Sequence, residues 1–393
     1  MILTGFLSQT ASAELVALRQ ALHRRPELSS QERETAARIV AELKRCRPDE
    51  ILSDLGTHGV AAVYDSGVEG PTVLFRCELD GLPITEISTF GWRSEIDGKG
   101  HLCGHDGHMA IVVGLARQLA ENRPARGRVV LLFQPAEETG AGAADVINDP
   151  RFDRIRPDFA FALHNLPGLP LGAVGVRSGP FTFASEGLAI KLSGRTSHAA
   201  QPEAGLSPAS IMGRLMEALP ALPETLGHAS GHSLVTLSHV RLGEAAFGIS
   251  PGEADIWVTV RAIDDRLQGE LMGEAEMLAR RLAEAGGLGV SFDRYENFAA
   301  GHNDAEAVEK IEAAATKLGA SRVEVGDPFR WSEDFGRFGS VAKTGLFVLG
   351  SGEDHPRLHN PDFDFPDELI GPGVAMFEAI TRDVCGEQPS TEG

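Results

Sequence analysis

Within eight residues the chain places His101-Leu102-Cys103-Gly104-His105-Asp106-Gly107-His108, three imidazoles, a thiol and a carboxylate on a backbone loosened by two glycines. Nitrogen and sulfur donors this dense suit a divalent transition metal. The same stretch also reads as a polar loop capping the next helix, with Asp106 as N-cap. Cys103 as a nucleophile is a separate reading, although a thiolate beside so many imidazoles more naturally binds metal. A second group, Phe133-Gln134-Pro135-Ala136-Glu137-Glu138-Thr139-Gly140, follows an apolar run. Adjacent carboxylates point in different directions, so one can bind a metal while its neighbour reaches a water. Without a partner, such a pair is a solvated loop. His164, in Ala162-Leu163-His164-Asn165, and His359, in Leu358-His359-Asn360-Pro361, are single histidines that would each pass as structural. Beside the cluster and the Glu pair they point to a metal centre. No Gly-x-Gly-x-x-Gly follows a strand, which excludes nucleotide binding through that loop.

The elements that must position these residues follow from periodicity. Leu15, Leu18 and Leu22 fall at helical spacing before Pro26, and a second helix is predicted from Ser30 to about Lys44. Apolar runs at Thr72–Phe75, Val129–Phe133 and Phe159–Leu163 suit strands buried on both faces, with a helix over His108–Asn122 between the first two. This alternation predicts an α/β fold with a doubly wound, mainly parallel sheet. The pattern changes near Gly179-Pro180. Strands at Leu188–Leu192, Leu234–Leu242, Ala254–Ile263 and Val290–Tyr295, with helices at Ser207–Leu219 and Leu267–Ala285, follow the order of a ferredoxin-like βαββαβ unit. A helix (Asp304–Leu318), a strand (Leu346–Leu349) and a last helix (Asp367–Val384) resume the first style. The expected organisation is a discontinuous catalytic domain, 1–180 and 298–393, with an α+β domain over 181–297 inserted in it.

Composition bounds the partners. The 36 basic and 56 acidic residues give a formal charge of -20, a field that repels phosphate backbones and anionic lipid headgroups. Nucleic acid and membrane surfaces are therefore not expected partners. Four scattered cysteines, at 46, 77, 103 and 385, predict a reducing compartment without a disulfide framework. Ala11-Ser12-Ala13 resembles a signal-peptidase site, but no basic residue precedes it and the apolar stretch Met1–Leu7 is short. A cytoplasmic protein is the expectation. The Pro, Ser, Thr and Gly content of Gln388–Gly393 reads as a frayed tail.

Taken in order, Leu22-His23-Arg24-Arg25-Pro26-Glu27-Leu28-Ser29, Arg76-Cys77-Glu78-Leu79-Asp80-Gly81-Leu82-Pro83, Cys103–His108, Gln134–Glu138, Ser197-His198-Ala199-Ala200-Gln201-Pro202, Ser332-Glu333-Asp334-Phe335 and His359-Asn360-Pro361 resemble the zinc-type exopeptidase and aminoacylase family. The closest branch holds hippurate hydrolases, N-acetyl-diaminopimelate deacetylases and auxin-conjugate amidohydrolases. The resemblance implies two divalent metals sharing a bridging water, with Cys103, His105, Glu138, His164 and His359 as ligands. It implies Glu137 as general base and Asp80 as the carboxylate that orients a ligand imidazole. His198 would reach a neighbouring subunit's site and stabilise the tetrahedral oxyanion, making the inserted domain both lid and dimer interface. Arg261 would hold a substrate carboxylate. Cys103 favours zinc, while manganese, cobalt and nickel also suit the His and Glu ligands.

One departure stands out: family members commonly carry Asn where this chain has Gly248 in Ala246-Phe247-Gly248-Ile249-Ser250-Pro251. The expected function is metal-dependent hydrolysis of the amide bond in a small N-acyl amino acid or peptide-like substrate, by a homodimer or dimer-based oligomer. The rivals are a dipeptidase or carboxypeptidase with the same machinery, and a non-catalytic metal-dependent binding protein.

Overall fold

The computed structural model describes residues 6–228 and 231–387, so the tail predicted over Gln388–Gly393 lies outside the described residues, as does most of Met1–Leu7. The chain divides into two compact units, one of residues 1–181, 301–327 and 334–393, the other of 182–300 and 328–333.

In the first unit the elements are α1 (Gln9–His23), α2 (Arg33–Arg45), β1 (Glu50–Leu55), β2 (Gly59–Asp65), β3 (Thr72–Glu78), α3 (His105–Glu121), β4 (Arg128–Gln134), α4 (Gly142–Asn148), β5 (Phe159–Leu166) and β6 (Val174–Val176). The second unit contributes β7 (Ala184–Ser193), α5 (Ala209–Ala218), β8 (Ser233–Leu242), β9 (Glu253–Ala262), α6 (Asp265–Ala285) and β10 (Gly289–Phe298). The first unit then resumes with α7 (Ala305–Leu318), β11 (Arg322–Glu324), β12 (Lys343–Gly350) and α8 (Ile370–Cys385).

The large sheet runs β1-β2-β4-β3-β5-β12-β6-β11. Its centre is parallel, β4 to β3, β3 to β5 and β5 to β12, while β1 and β2 form an antiparallel margin that pairs with β4. Val129 to Phe133 are all buried, the consequence of covering a parallel sheet on both faces. Helices α1, α3, α8 and α7 pack side by side in that order. Phe75 stacks 5.8 Å from Phe161 and meets Phe377 at 4.8 Å, joining sheet to α8. A Cβ at Gly114 would lie 2.4 Å from Val374, so α3 and α8 approach closely only because that position is glycine.

The start of α3 differs from expectation. The helix begins at His105, and Gly104 at its N-terminal boundary has a left-handed φ of 92°. His105, Asp106 and His108 therefore occupy its first turn rather than a preceding loop. Asp106 is not the N-cap; its carboxylate turns inward to α1.

The second unit has βαββαβ order on an antiparallel sheet, β8-β9-β7-β10, whose apolar face (Leu188, Ile190, Ile256, Val258) buries against Leu215 of α5 and Leu271, Ala275 and Ala279 of α6. Among the described residues no helix is long and apolar enough to cross a membrane.

Candidate metal centre

The C-terminal ends of parallel strands β3, β4, β5 and β12 open toward one place, where an open α/β sheet binds ligands. Asp80 follows β3, Glu137 and Glu138 follow β4, His164 sits near the end of β5, and His359 lies on the connection from β12 to α8. His359 has a φ of 66° and its amide donates to the Leu102 carbonyl at 2.8 Å, fastening that connection beside the Cys103 turn.

All five residues expected to hold metal come together in the first unit. Donor atoms of Cys103, His105 and His164 lie within 4.8 Å of one another, as do those of Cys103, Glu138 and His359, and of His105, Glu137 and Glu138. Cys103 Sγ is 3.5 Å from His164 Nε2, and His359 Nε2 is 3.6 Å from Glu138 Oε2. His105 Nε2 stands 3.9 Å from a carboxylate oxygen of each of Glu137 and Glu138.

The hydrogen bonds at the other ring nitrogens decide what these imidazoles can offer. His105 Nδ1 donates to the Asp80 carbonyl at 2.9 Å, with Asp80 Oδ1 at 3.4 Å, and His164 Nδ1 donates to the Asn165 carbonyl at 2.8 Å. A carbonyl only accepts, so Nδ1 carries the proton in both rings and Nε2 is the atom left for a metal. His105 Nε2 is buried and makes no hydrogen bond. A buried polar atom left in that condition, aimed at a thiol and two carboxylates, fits a divalent cation.

The charge balance agrees. Burial pulls the His105 pKa down, but Cys103, Glu78 and Asp80 outweigh it and raise it well above the usual value. That excess of negative charge is what a dication would neutralise in place of a proton. Burial, with His108 beside it, lowers the His164 pKa to about 3, so this ring is neutral and ready to donate its lone pair. Burial and Glu138 push the Cys103 thiol up; a coordinating cation reverses that preference. For Asp80 burial raises the pKa, yet its hydrogen bond to His105 and that ring's charge prevail and hold it low. Asp80 Oδ2 also accepts from the Glu138 amide at 3.0 Å and from Ser29 Oγ at 2.7 Å.

His198 and Arg261 belong to the second unit. His198 is exposed on a short ribbon, Ser197–His198 against Ile249–Ser250, and its Nδ1 accepts from the Ala200 amide at 3.0 Å, which leaves Nε2–H as an outward donor in the neutral ring. Arg261 lies near the end of β9, half-buried, and donates to Ser332 Oγ at 2.8 Å and to the Arg330 carbonyl at 3.2 Å. Burial lowers its pKa.

Sequence reasoning assigned no role to a set of buried charges that surround the centre. His23 Nδ1 meets Asp106 Oδ2 at 2.8 Å, Arg19 bridges Asp106, Asp364 and Asp367, and Glu86 lies 3.3 Å from His23 Nε2. On the other side Glu78 takes His108 Nδ1 at 2.7 Å and pairs with Arg76, whose guanidinium reaches Asp334 at 2.6 Å. The sequence signals for these were the blocks Leu22–Ser29, Arg76–Pro83, Cys103–His108 and Ser332–Phe335, which hold His23, Arg76, Glu78, Asp106, His108 and Asp334 without showing how they pair.

Residues 74–383 match the model of peptidase family M20/M25/M40, and the chain belongs to that family, whose members hydrolyse amide bonds. An N-acetyl-L-cysteine deacetylase of Bacillus subtilis (strain 168) is 30% identical over 381 residues, covering 95% of this chain and 89% of the relative. A hippurate hydrolase of Campylobacter jejuni is 28% identical over 369 residues, 93% of this chain and 95% of the relative. Among solved structures, a dinuclear metal-binding peptidase of family M20 from Bacillus subtilis superposes with a TM-score of 0.79 at 26% identity, covering 97% of this chain and 100% of that one.

Proposed function

We propose that the chain is a two-metal amidohydrolase that releases the amino acid from a small N-acyl amino acid or amino-acid conjugate. The carrying observation is the convergence of Cys103, His105, Glu138, His164 and His359, with Glu137 beside them and the Nδ1 protons of His105 and His164 held by backbone carbonyls, so that each Nε2 turns its lone pair to the cluster. Bound by those five residues, two divalent metals would polarise the scissile carbonyl and make water acidic enough to deprotonate near neutral pH. The one thiol among the ligands favours zinc.

Glu137 takes the proton of the attacking water and passes it to the leaving amine, one carboxylate serving both steps. Its side chain is only 6% exposed, which keeps bulk water from competing for that proton. Asp80 fixes the tautomer of His105 and the amide of Glu138 together. On the second unit, the outward Nε2–H of His198 suits a developing oxyanion, and the Arg261 guanidinium suits a substrate carboxylate. That unit would act as lid and dimer interface in a cytoplasmic homodimer.

The test is a panel of N-acetyl, N-benzoyl and dipeptide substrates offered to protein reconstituted with zinc, manganese, cobalt or nickel. Release of free amino acid from the N-acyl members is expected, and preferential cleavage of dipeptides would reassign the substrate class. Glu137→Gln should lose about 10²–10⁴-fold in kcat with metal still bound. Hydrolysis by that variant at the wild-type rate would sink the mechanism.

A further inference from the structure

Glu32, at the N-terminal boundary of α2, is fully buried, yet lies far in sequence from every residue of the metal centre. One of its oxygens, Oε1, accepts two backbone amides, Ser30 at 2.8 Å and Ala136 at 2.7 Å. Ala136 is the residue before Glu137, and its φ is 50°, a left-handed conformation that a residue with a Cβ holds only when its surroundings enforce it. The carbonyl of Ala136 is held too, accepting from the Gly142 amide at 3.0 Å and Thr139 Oγ1 at 3.3 Å. The turn bearing Glu137 and Glu138 is thus pinned at both polar groups of the residue that launches it. The same N-terminal segment grips the other loop of the centre: Ser29 Oγ donates to Asp80, and the Gly81 amide donates to the Glu27 carbonyl at 2.8 Å.

We propose that Glu32 is a positioning residue for the general base, a single buried oxygen that holds Ala136 in its left-handed turn and so aims Glu137 at the reacting water. This rests on Glu137 being that base. The second oxygen, Oε2, is buried without a hydrogen bond, so the contact asks for an acceptor and not for a charge. Burial first, then the nearby Asp80 charge, raise the Glu32 pKa to about 7, in keeping with a site where the charge itself is not used.

Two variants separate acceptor from bulk. Glu32→Gln keeps an oxygen at Oε1 and should retain kcat within about twofold. Glu32→Ala removes it, and kcat should fall about 10–100-fold, since a small misplacement of a catalytic group has that effect. KM should stay within about threefold, and metal content should be unchanged. A second readout needs no turnover: deuterium exchange in the peptide spanning 133–142 should be slow in wild type and Glu32→Gln and at least about tenfold faster in Glu32→Ala. If Glu32→Ala does not fold, Glu32→Asp withdraws the oxygen by one methylene and carries the same expectations. Wild-type exchange and kcat in the alanine or aspartate variant would overturn the proposal. So would a glutamine variant as impaired as alanine, or metal loss that accounts for the fall in kcat. Full activity in Glu137→Gln would instead remove the base assignment, with the exchange result left standing.

Discussion

Glu137 and Glu138 are neighbours in sequence with different surroundings. Both carboxylates stand near His105, but the amide of Glu138 is tied to Asp80 and its second oxygen lies near His359, whereas Glu137 follows directly on the pinned Ala136. Adjacent carboxylates can divide the work in this way only if the backbone between them is fixed, and here the left-handed Ala136 and the Asp80 hydrogen bond fix it. The residue scale also carries a question of substrate grip. Gly248 stands where the resembled family commonly has Asn, and its carbonyl accepts from the Ala199 amide at 3.0 Å, so it belongs to the same ribbon as His198. A Cβ built at Gly248 meets nothing within 4 Å. Gly248→Asn should therefore fold normally, with a stability change inside about 0.5 kcal/mol. If the substrate's carboxylate lies against this ribbon, the added amide should lower KM for carboxylate-bearing substrates by about 2–10-fold, the net worth of one hydrogen bond. An unchanged KM across substrates with and without the carboxylate would place the substrate elsewhere.

At the scale of elements, α1 and the first turn of α3 are joined by the His23–Asp106 pair, with Arg19 reaching on to Asp364 and Asp367 before α8. Burial lowers the His23 pKa, but the Asp106 charge and hydrogen bond outweigh it and raise it from 6.5 to about 9. A raised histidine adds stability that is complete below its unfolded pKa and is lost as pH climbs through the folded one. The pair is therefore worth most below about pH 6.5 and fades by about pH 9; on the acid side, Asp106, held low by His23 and Arg19 against its burial, sets the limit as it protonates. His23→Gln should cost on the order of 3 kcal/mol at pH 6, and the difference in Tm from wild type should shrink steadily toward pH 9. A pH-independent difference would mean the ring acts by packing alone. Both residues fall in motifs read from the sequence, but their pairing was not legible, because a His on a helix gives no hint of a partner 83 residues away. By contrast β4 and β5 were legible, because a strand buried on both faces spells a continuous apolar run. Strand β1 was not, being a half-buried margin with Ser53 and Asp54 in its middle. The first turn of α3 hid behind its glycines. Gly107 reads as a loop residue, yet the structure needs it because the Phe365 ring would lie 2.3 Å from any Cβ there. The proposed ligands and Asp80 were legible by residue type and motif, while Glu32 and Glu78 were given no role, since only the fold brings them to the centre.

The whole molecule joins two cores that differ in what a metal can do for them. Every proposed ligand, from Cys103 to His359, lies in the first unit, so metals held there would close a loop through β4, β5 and β12 and across the chain that forms the second unit. That second unit carries its own apolar core around Leu192, Ile256, Leu271 and Ala279 and supplies none of the five proposed ligands. A metal that binds the folded ligand set and not the unfolded chain would stabilise by RT ln(1 + [L]/Kd), about 2.7 kcal/mol when free metal is 100 times Kd. The stabilisation should be local. Stripping the metals with a chelator should speed deuterium exchange in peptides covering 100–110, 133–142 and 159–166, and lower the Tm of the transition that reports on them. Peptides from β7, β9 and α6 should exchange alike with and without metal, because no bond there depends on the ligands. The formal charge of -20 sharpens the measurement: added salt screens the surface field that gathers cations without breaking coordination, so the apparent Kd should weaken with ionic strength while the exchange pattern at saturation stays fixed. Equal slowing of exchange in both units on loading would show instead that the metals consolidate the whole chain, and local stabilisation would be ruled out.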